Sequence, residues 1–425
     1  MKRSNIICLF LTIFTFTFLT AKSQEAAKED TLPRVIEQLQ SDVALLKNLK
    51  ITGYIQAQAQ FADSTGALTD MQAGAFPKGS DQRFAIRRGR LKFVYSSNPL
   101  SQYAMQIDVN ETGVKTKEVY AKFAEPFFKT FALTAGLQNR PYGFEIGYSS
   151  GDLETPERSR TEQSLFKDEY DLGANLTIQA PKTSRYNWVK LDLGFFSGGL
   201  ENNSPMDFKK TKDFIGRINV SKTFLNESLK VSGDLSYYHG GVPTNSKKIS
   251  KIQDVGGVTK FVSKAVDSLS NCLREYYGFD AQVTYATPFG LTTLRGEFTQ
   301  GQQASASGDI KNPTALTANL YVRKVQGFYF MWVQNIGQSR HSFVLRYDAF
   351  DPNTKASGTQ ITKAAGFTSS DVKYSDLGLG YTLRIDANTK FLVYYDINTN
   401  EKTGLTGYTK DVKDNVWTFR VQFKF

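Results

Sequence analysis

Cysteine and histidine are nearly absent from this chain of 425 residues: there are two cysteines, Cys8 and Cys272, and two histidines, His239 and His341. So few thiols and imidazoles exclude a disulfide scaffold and leave little for a zinc site or a Cys/His nucleophile pair. Proline is scarce at 12 residues, and the mean hydropathy of −0.36 excludes a bundle of transmembrane helices. Collagen and disorder are excluded by the same composition. What is present in quantity is aromatic side chains, at 13%, with 33 glycines and a basic excess of 52 Lys+Arg over 41 Asp+Glu. Length alone suggests about two or three soluble domains, and the periodicity of the chain argues for a single unit instead.

The first residues read as an address. Lys2 and Arg3 precede an apolar run from Ile6 to Leu19, and Ala21-Lys22-Ser23 has the small-x-small form of a cleavage site, so residues 1–23 are expected to be a signal peptide. Cys8 lies inside the apolar run with no lipobox before it, which argues against a lipid anchor. Removing Lys2, Arg3 and Lys22 leaves 49 basic against 41 acidic side chains, a net charge of +8.

From Leu32 to Leu46 the apolar residues Leu32, Ile36, Leu39, Val43 and Leu46 step by four and three, the seam of a short coiled-coil-like helix. Residues 24–50 are therefore expected to form a periplasmic helical segment, either self-associating or an amphipathic linker. After Lys50 the period changes to two and keeps to the last residue. In the final segment Trp417, Phe419, Val421, Phe423 and Phe425 alternate with Thr418, Arg420, Gln422 and Lys424. Tyr103, Met105, Ile107 and Val109, and again Leu377, Leu379, Tyr381, Leu383 and Ile385, alternate with polar or small residues in the same way. Such segments, about ten residues long, suit a bilayer crossing better than the strands of a soluble sandwich.

The connections sort into two kinds. Long ones near 63–82, 139–169, 197–212, 240–272, 300–318, 351–373 and 399–415 alternate with tight turns such as Ser97-Asn98-Pro99, Thr287-Pro288-Phe289 and Asp386-Ala387-Asn388. Glu111 to Val114 is the one short connection on the long-loop side. This predicts an all-β fold: a transmembrane antiparallel barrel of about sixteen strands over residues 51–425, closed because lipid cannot satisfy a free strand edge.

A cation facing lipid at mid-bilayer costs about 2–4 kcal/mol. In Arg83 to Tyr95, if Leu91, Phe93 and Tyr95 face lipid, Arg88, Arg90 and Lys92 share the lumen face, and Arg87 falls on the lipid side, near an interface or subunit contact. Lys122, Lys190, Arg217, Arg295, Arg346, Arg384 and Arg420 also occupy inferred lumen faces. Rings of such groups favour anions, and guanidinium matches phosphate geometry; the alternative is that they pair with Asp108, Glu118, Asp192, Asp348 and Asp396 and merely line the wall. The connection from Asn139 to Glu169, punctuated by Pro and Gly, is expected to fold inward, with Arg140, Glu157, Arg158 and Arg160 at a constriction. Lys247, Lys248, Lys251, Lys260 and Lys264 either collect anions at the mouth or belong to a solvated loop.

The Arg-Arg-Gly-Arg strand at 87–90, the stretch Gly136-Leu-Gln-Asn-Arg-Pro-Tyr-Gly-Phe-Glu145, the triplet Glu157-Arg158-Ser159 and the terminal aromatic strand together resemble the phosphate-selective porin O and P family, in its Bacteroidetes-type form. The resemblance extends loosely over residues 50–425 and implies a sixteen-stranded trimeric barrel in the outer membrane of a Gram-negative bacterium. It further implies arginines that guide phosphate, with Arg88 and Arg90 on the family's basic strand and Arg158 in its constriction loop. The final Phe425 resembles the signal read by the barrel assembly machinery.

The function expected is passive diffusion of phosphate or similar small anions, with no cofactor, no metal and no nucleic-acid partner. A general non-selective porin and a barrel with receptor or adhesion loops are the alternatives. No G-x-S-x-G context accompanies either histidine, which argues against a barrel hydrolase. About 27 residues between Gln24 and Ile51 are too few for the plug of an energy-coupled transporter.

Overall fold

The computed structural model describes residues 31–166, 169–198, 212–244, 246–267, 270–311 and 319–425. The expected signal peptide, residues 1–23, lies outside the described residues, as does most of the 197–212 connection. The chain divides into two compact units, Met1–Asn48 and Leu49–Phe425. In the first, helix α1 (Thr31–Lys47) carries Val35, Ile36, Leu39 and Val43 exposed along its length. The side chains of Leu32 and Leu46 are outside those described.

The second unit is built from eighteen strands in one sheet. β1 (Leu49–Ala62), β2 (Gln82–Asn98), β3 (Ser101–Asn110), β4 (Gly113–Ala124), β5 (Phe131–Asn139) and β6 (Tyr170–Gln179) run antiparallel, each to the next. β7 (Val189–Phe196), β8 (Asp213–Phe224) and β9 (Leu229–Pro243) continue the meander. β10 (Lys248–Val255) and β11 (Val258–Ala265) form a hairpin outside the wall, because β9 pairs directly with β12 (Asn271–Thr287). β13 (Gly290–Ser305), β14 (Leu320–Asn335), β15 (His341–Asp351), β16 (Tyr374–Arg384), β17 (Thr389–Asn400) and β18 (Val416–Lys424) complete the circuit. The wall is a closed sixteen-strand antiparallel barrel.

Closure is made by β18 against β1, with Phe423 opposite Ile55 and Trp417 opposite Phe61. The backbones of Phe425 and Gly53 exchange two hydrogen bonds of 3.0 Å, which extends the ladder to the last residue. Gly53 is required there: a Cβ would stand 2.5 Å from Arg90 O and 2.6 Å from the Phe425 ring.

Alternation sorts side chains by face. Phe84, Phe195, Leu235, Phe279, Phe330 and Phe343 point outward and are exposed, whereas Gln56, Gln58, Gln60, Asp280, Arg346 and Thr418 point inward and are buried. Apolar outside and polar inside is the inverse of a soluble barrel, and it is what a hydrocarbon solvent selects.

The short turns gather at one end with the chain termini of the barrel, and the long connections at the other. Two long connections are shorter than the sequence pattern predicts, because the strands continue past them: β9 and β12 stay paired up to Pro243 and Asn271, and β13 runs to Ser305. Within 240–272 the chain is not an irregular loop but the β10–β11 hairpin, bridged in parallel to β14 through Ile249–Lys251 and Leu320–Val322. Its apolar residues Ile249 and Ile252 pack into small clusters, while Lys247, Lys248, Lys251 and Lys264 remain exposed. A fully buried ion pair ties the β15–β16 connection to β14: Arg323 Nε donates to Asp371 Oδ1 at 2.8 Å.

Candidate functional site

The connection between β5 and β6, residues 140–169, turns into the barrel and reaches across it, bonding to β8, β9 and β13 on one side and to β17, β18 and β1 on the other. Tyr142, Ile146, Leu165 and Phe166 are buried with Tyr238 and Tyr276 of the wall. Its backbone would be left unsatisfied in an apolar interior, and the polar lumen supplies the partners. Ser236 Oγ accepts from Gly143 N–H at 2.9 Å, Arg217 donates to Gly143 O at 2.9 Å, and Glu297 accepts from Glu145 N–H at 3.1 Å. On the facing wall Gln56 donates to Ser150 O (2.9 Å), Gln422 to Gly151 O (2.8 Å), Lys390 Nζ to Leu153 O (2.9 Å) and Arg420 to Pro156 O (2.7 Å). The loop is thereby fixed to strands on opposite sides of the barrel, from β8 round to β1. It ends in a short helix, α2 (Arg160–Leu165), capped by Ser159, whose hydroxyl accepts from Glu162 N–H.

Glu157 stands at the centre of the basic side. Arg87 grips it with two hydrogen bonds of 2.7 Å, Arg88 Nη2 donates at 2.7 Å and Arg420 Nη2 at 3.2 Å. Burial pushes the Glu157 carboxyl upward, but Arg87, Arg88 and Arg420 outweigh it and hold the group well below the usual carboxylate range. Glu169 is half-buried and is held down by Arg158, at 2.5 Å, and by Arg90.

Arg87 corrects the simple alternation. On strict period two it faces lipid; in the structure it points into the lumen. The reason is a β-bulge: the β1–β2 register passes from Gln56 opposite Arg88 to Ala57 opposite Ile86, leaving Arg87 as the extra residue. A second bulge in β4 does the same for Lys117, since β3 passes from Gln106 opposite Glu118 to Ile107 opposite Thr116. Lys117 is buried, with its ammonium 5.8 Å from the centre of the Tyr170 ring.

A cavity of about 190 Å³ results, with Arg87, Arg88, Arg90, Lys117, Arg158 and Lys311 against Asp108, Glu157, Glu162 and Glu169. Six cations face four carboxylates. Of the residues singled out from sequence, Arg88, Arg90, Glu157 and Arg158 meet here, and Arg420 reaches Glu157 from β18. Arg87 was expected on the lipid side, near an interface or subunit contact, and Lys117 and Lys311 were not singled out. Arg87 and Lys117 carry a signal in the sequence, a change of parity in the apolar alternation on either side of them; Lys311, in the β13–β14 connection, carries none.

The remaining residues are distributed round the wall and mostly paired. Lys92 meets Glu118, Lys190 meets Asp192 at 3.1 Å, and Arg217 meets Asp192 at 2.9 Å. Arg295 pairs with Glu154 at 2.7 Å and lies over the Tyr148 ring. Arg346 donates to Glu157 O at 2.8 Å and stands 3.9 Å from Asp348. Arg140, the first residue of the loop, pairs with Asp171 of β6 at 3.4 Å. Arg160 stacks 4.6 Å from the centre of the Tyr374 ring, and its backbone N–H donates to Asp348 at 2.8 Å. Lys122 is half-buried on β4, opposite Thr134. Arg384 is exposed at the short-turn end, where with Arg295, Lys390 and Lys424 it borders a vestibule of about 530 Å³. The opposite wall is acidic: Asp280 and Glu297 on β12 and β13, and Asp348, Asp376 and Asp396 on β15 to β17, are all buried.

A barrel of sixteen strands with an inward loop and a basic cluster on β2 invites comparison with known channels. Residues 67–211 match the family model of the phosphate-selective porin O and P. The porin O and P match covers β2 to β7 and the whole inward loop, and with them every residue of the cavity except Lys311. No curated protein matches the chain. Among solved structures, OprB of Pseudomonas putida superposes with a TM-score of 0.57 at 11% identity, covering 92% of this chain and 97% of its own. An anion-selective porin from Comamonas acidovorans gives 0.51 at 10% identity, covering 89% and 99%. The trimer form of OmpT from Vibrio cholerae gives 0.50 at 11% identity, covering 89% and 99%. At these identities the likeness is one of fold: the chain shares the antiparallel β-barrel of these porins.

Proposed function

We propose that the protein is an outer-membrane porin of a Gram-negative bacterium through which small anions, phosphate among them, diffuse passively. The observation that carries this reading is the cavity beside Glu157, where cations outnumber carboxylates at the level at which the inward loop narrows the lumen. Positive charge in a low-dielectric constriction lowers the barrier for anions and raises it for cations. Arg87, Arg88 and Arg90 present planar guanidinium donors suited to a tetrahedral oxyanion. The family match over 67–211 supports the same class of solute, as does the fold shared with an anion-selective porin.

The expected assembly is a homotrimer, delivered to the membrane after removal of residues 1–23. The exposed seam of α1 supports association with further copies, and the trimer form of OmpT shares the barrel fold. The two-residue connection between β3 and β4 leaves a low rim on one side, which suits a wall shared between protomers.

The test is single-channel conductance of the purified protein in planar bilayers under a KCl gradient, followed by millimolar phosphate. Conductance steps in threes, a reversal potential on the anion side and block by phosphate are the expected result. Steps without selectivity or block would favour a general porin, a reading supported by the pairing of Lys92, Arg217 and Arg295 with carboxylates.

A further inference from the structure

The outer surface of the barrel is not uniformly ridged. Between β8, β9 and β12 it is hollowed into an apolar groove of about 510 Å³. The hollow has a local cause. Val220, Gly233 and Ala281 stand in one cross-strand row, so two of the three outward positions there carry almost no side chain. At Gly233 the floor is bare backbone, since even a Cβ would come 2.8 Å from Asp280 O. One row away, Ile218, Leu235 and Phe279 stand proud and form the far wall; all three are exposed.

At its short-turn end the groove opens beside Lys222, Phe224 and Trp188. Lys222 is outward-facing, two positions before the end of β8, and its ammonium lies 5.3 Å from the centre of the Phe224 ring. A cation on the lipid face is tolerated only near a membrane interface, where its stem follows apolar surface and its charge reaches the headgroups. Trp188 is of the kind that settles at the same level, with an apolar ring and one N–H donor. Among the described strands, Lys222 is the single lysine or arginine at an outward-facing position in the half nearest the short turns.

We propose that this groove is a binding site for an anionic phospholipid of the periplasmic leaflet. One acyl chain lies along the trough over Gly233 and Ala281, and the phosphate is held by the Lys222 ammonium and the Trp188 indole N–H. The proposal rests on the barrel standing in the outer membrane with its short turns at the periplasmic face, and not on which solute passes through the lumen. The groove is closed at one end by side chains and open at the other beside a positive charge, which matches a molecule with an apolar tail and one negative head. A second copy of the chain would have to bury Lys222 against an apolar face, since the two aspartates that border the groove, Asp234 and Asp280, stand at lumen-facing positions and are buried there.

The experiment is native mass spectrometry of the full-length protein, released from detergent after titration with phosphatidylglycerol or, separately, phosphatidylcholine. Wild type is expected to retain phosphatidylglycerol adducts in integral stoichiometry per barrel, at least tenfold above phosphatidylcholine. Lys222→Gln should remove that preference, and Ala281→Phe, which fills the trough, should remove the adducts. Lys324→Gln, an outward cation at the opposite end of the wall, should change neither. All variants are first checked for the heat-modifiable gel mobility of a folded barrel and for unchanged conductance, so that failure of the channel reading is seen separately. Adducts that survive both substitutions, equal retention of the two lipids, or an Ala281→Cys disulfide between protomers would each overturn the proposal.

Discussion

Arg87 and Arg88 are adjacent in sequence, yet their guanidinium groups meet on one carboxylate, that of Glu157. In a regular strand neighbours point to opposite faces; here the bulge between Gln56 and Ala57 brings both to the lumen. Deleting Arg87 should therefore restore plain alternation without moving Phe84, Ile86 or Leu91 off the lipid face. The deletion variant is expected to fold, judged by heat-modifiable mobility, and to show weaker block by phosphate. A variant that failed to assemble would mean that the bulge is needed for closure.

Replacing Glu157 by Gln leaves Arg87, Arg88 and Arg420 facing one neutral amide. The reversal potential in a KCl gradient should move further toward the anion value, and Arg88→Gln should move it the other way. The two shifts are expected to be non-additive in the double variant, because the groups share hydrogen bonds.

The Arg323–Asp371 pair is fully buried, with Asn353 also donating to Asp371 at 2.8 Å. Asp371→Ala leaves an uncompensated buried guanidinium, a change that costs about 3–5 kcal/mol in comparable settings. Local unfolding of the β15–β16 connection should follow, read as faster proteolysis between Asp351 and Tyr374. The double replacement Arg323→Met, Asp371→Leu should recover most of the loss.

Asp414 lies in the connection before β18, and burial, helped by Asp411 and Asp376 and opposed by Arg160, pushes its carboxyl up to about 7. A carboxyl raised above its unfolded value binds its proton more tightly in the native state. Its contribution to stability is present at low pH and is lost as pH climbs from the ordinary carboxylate range through about 7. Asp414→Asn should therefore match wild type near pH 4 and exceed it in thermal stability above pH 7; a constant difference across that range would refute the assignment.

The strands and the two classes of connection were legible because a membrane barrel writes its solvent on every second residue. Trp417 to Phe425 and Leu377 to Leu383 needed no tertiary information. The bulges were also present in the sequence, as a change of parity: Phe84 and Ile86 are even, whereas Leu91, Phe93 and Tyr95 are odd. In β4 the outward set passes from Val114 and Thr116 to Val119, Ala121 and Phe123. Reading one register through Arg83 to Tyr95 sent Arg87 to the wrong face. The partners on the wall, Asp108, Glu118, Asp192 and Asp348, follow from the same alternation; those on the loop did not, since Arg88 and Glu157, or Arg295 and Glu154, are far apart in sequence and meet only once the loop has folded inward. The hairpin at 248–265 was hidden by polar residues, because it stands outside lipid and lacks a strict apolar face.

The carboxylate of Glu157 gives the constriction a resident that never leaves. On the proposed anion path, an ion arriving at Arg87 and Arg88 would find them already engaged, and would enter by exchange with a tethered competitor rather than by filling a vacancy. Exchange shortens every visit, because the displaced carboxylate stays within reach and reclaims its donors as the ion moves on. A cluster of bare arginines would act as a trap; one that carries its own rival acts as a turnstile.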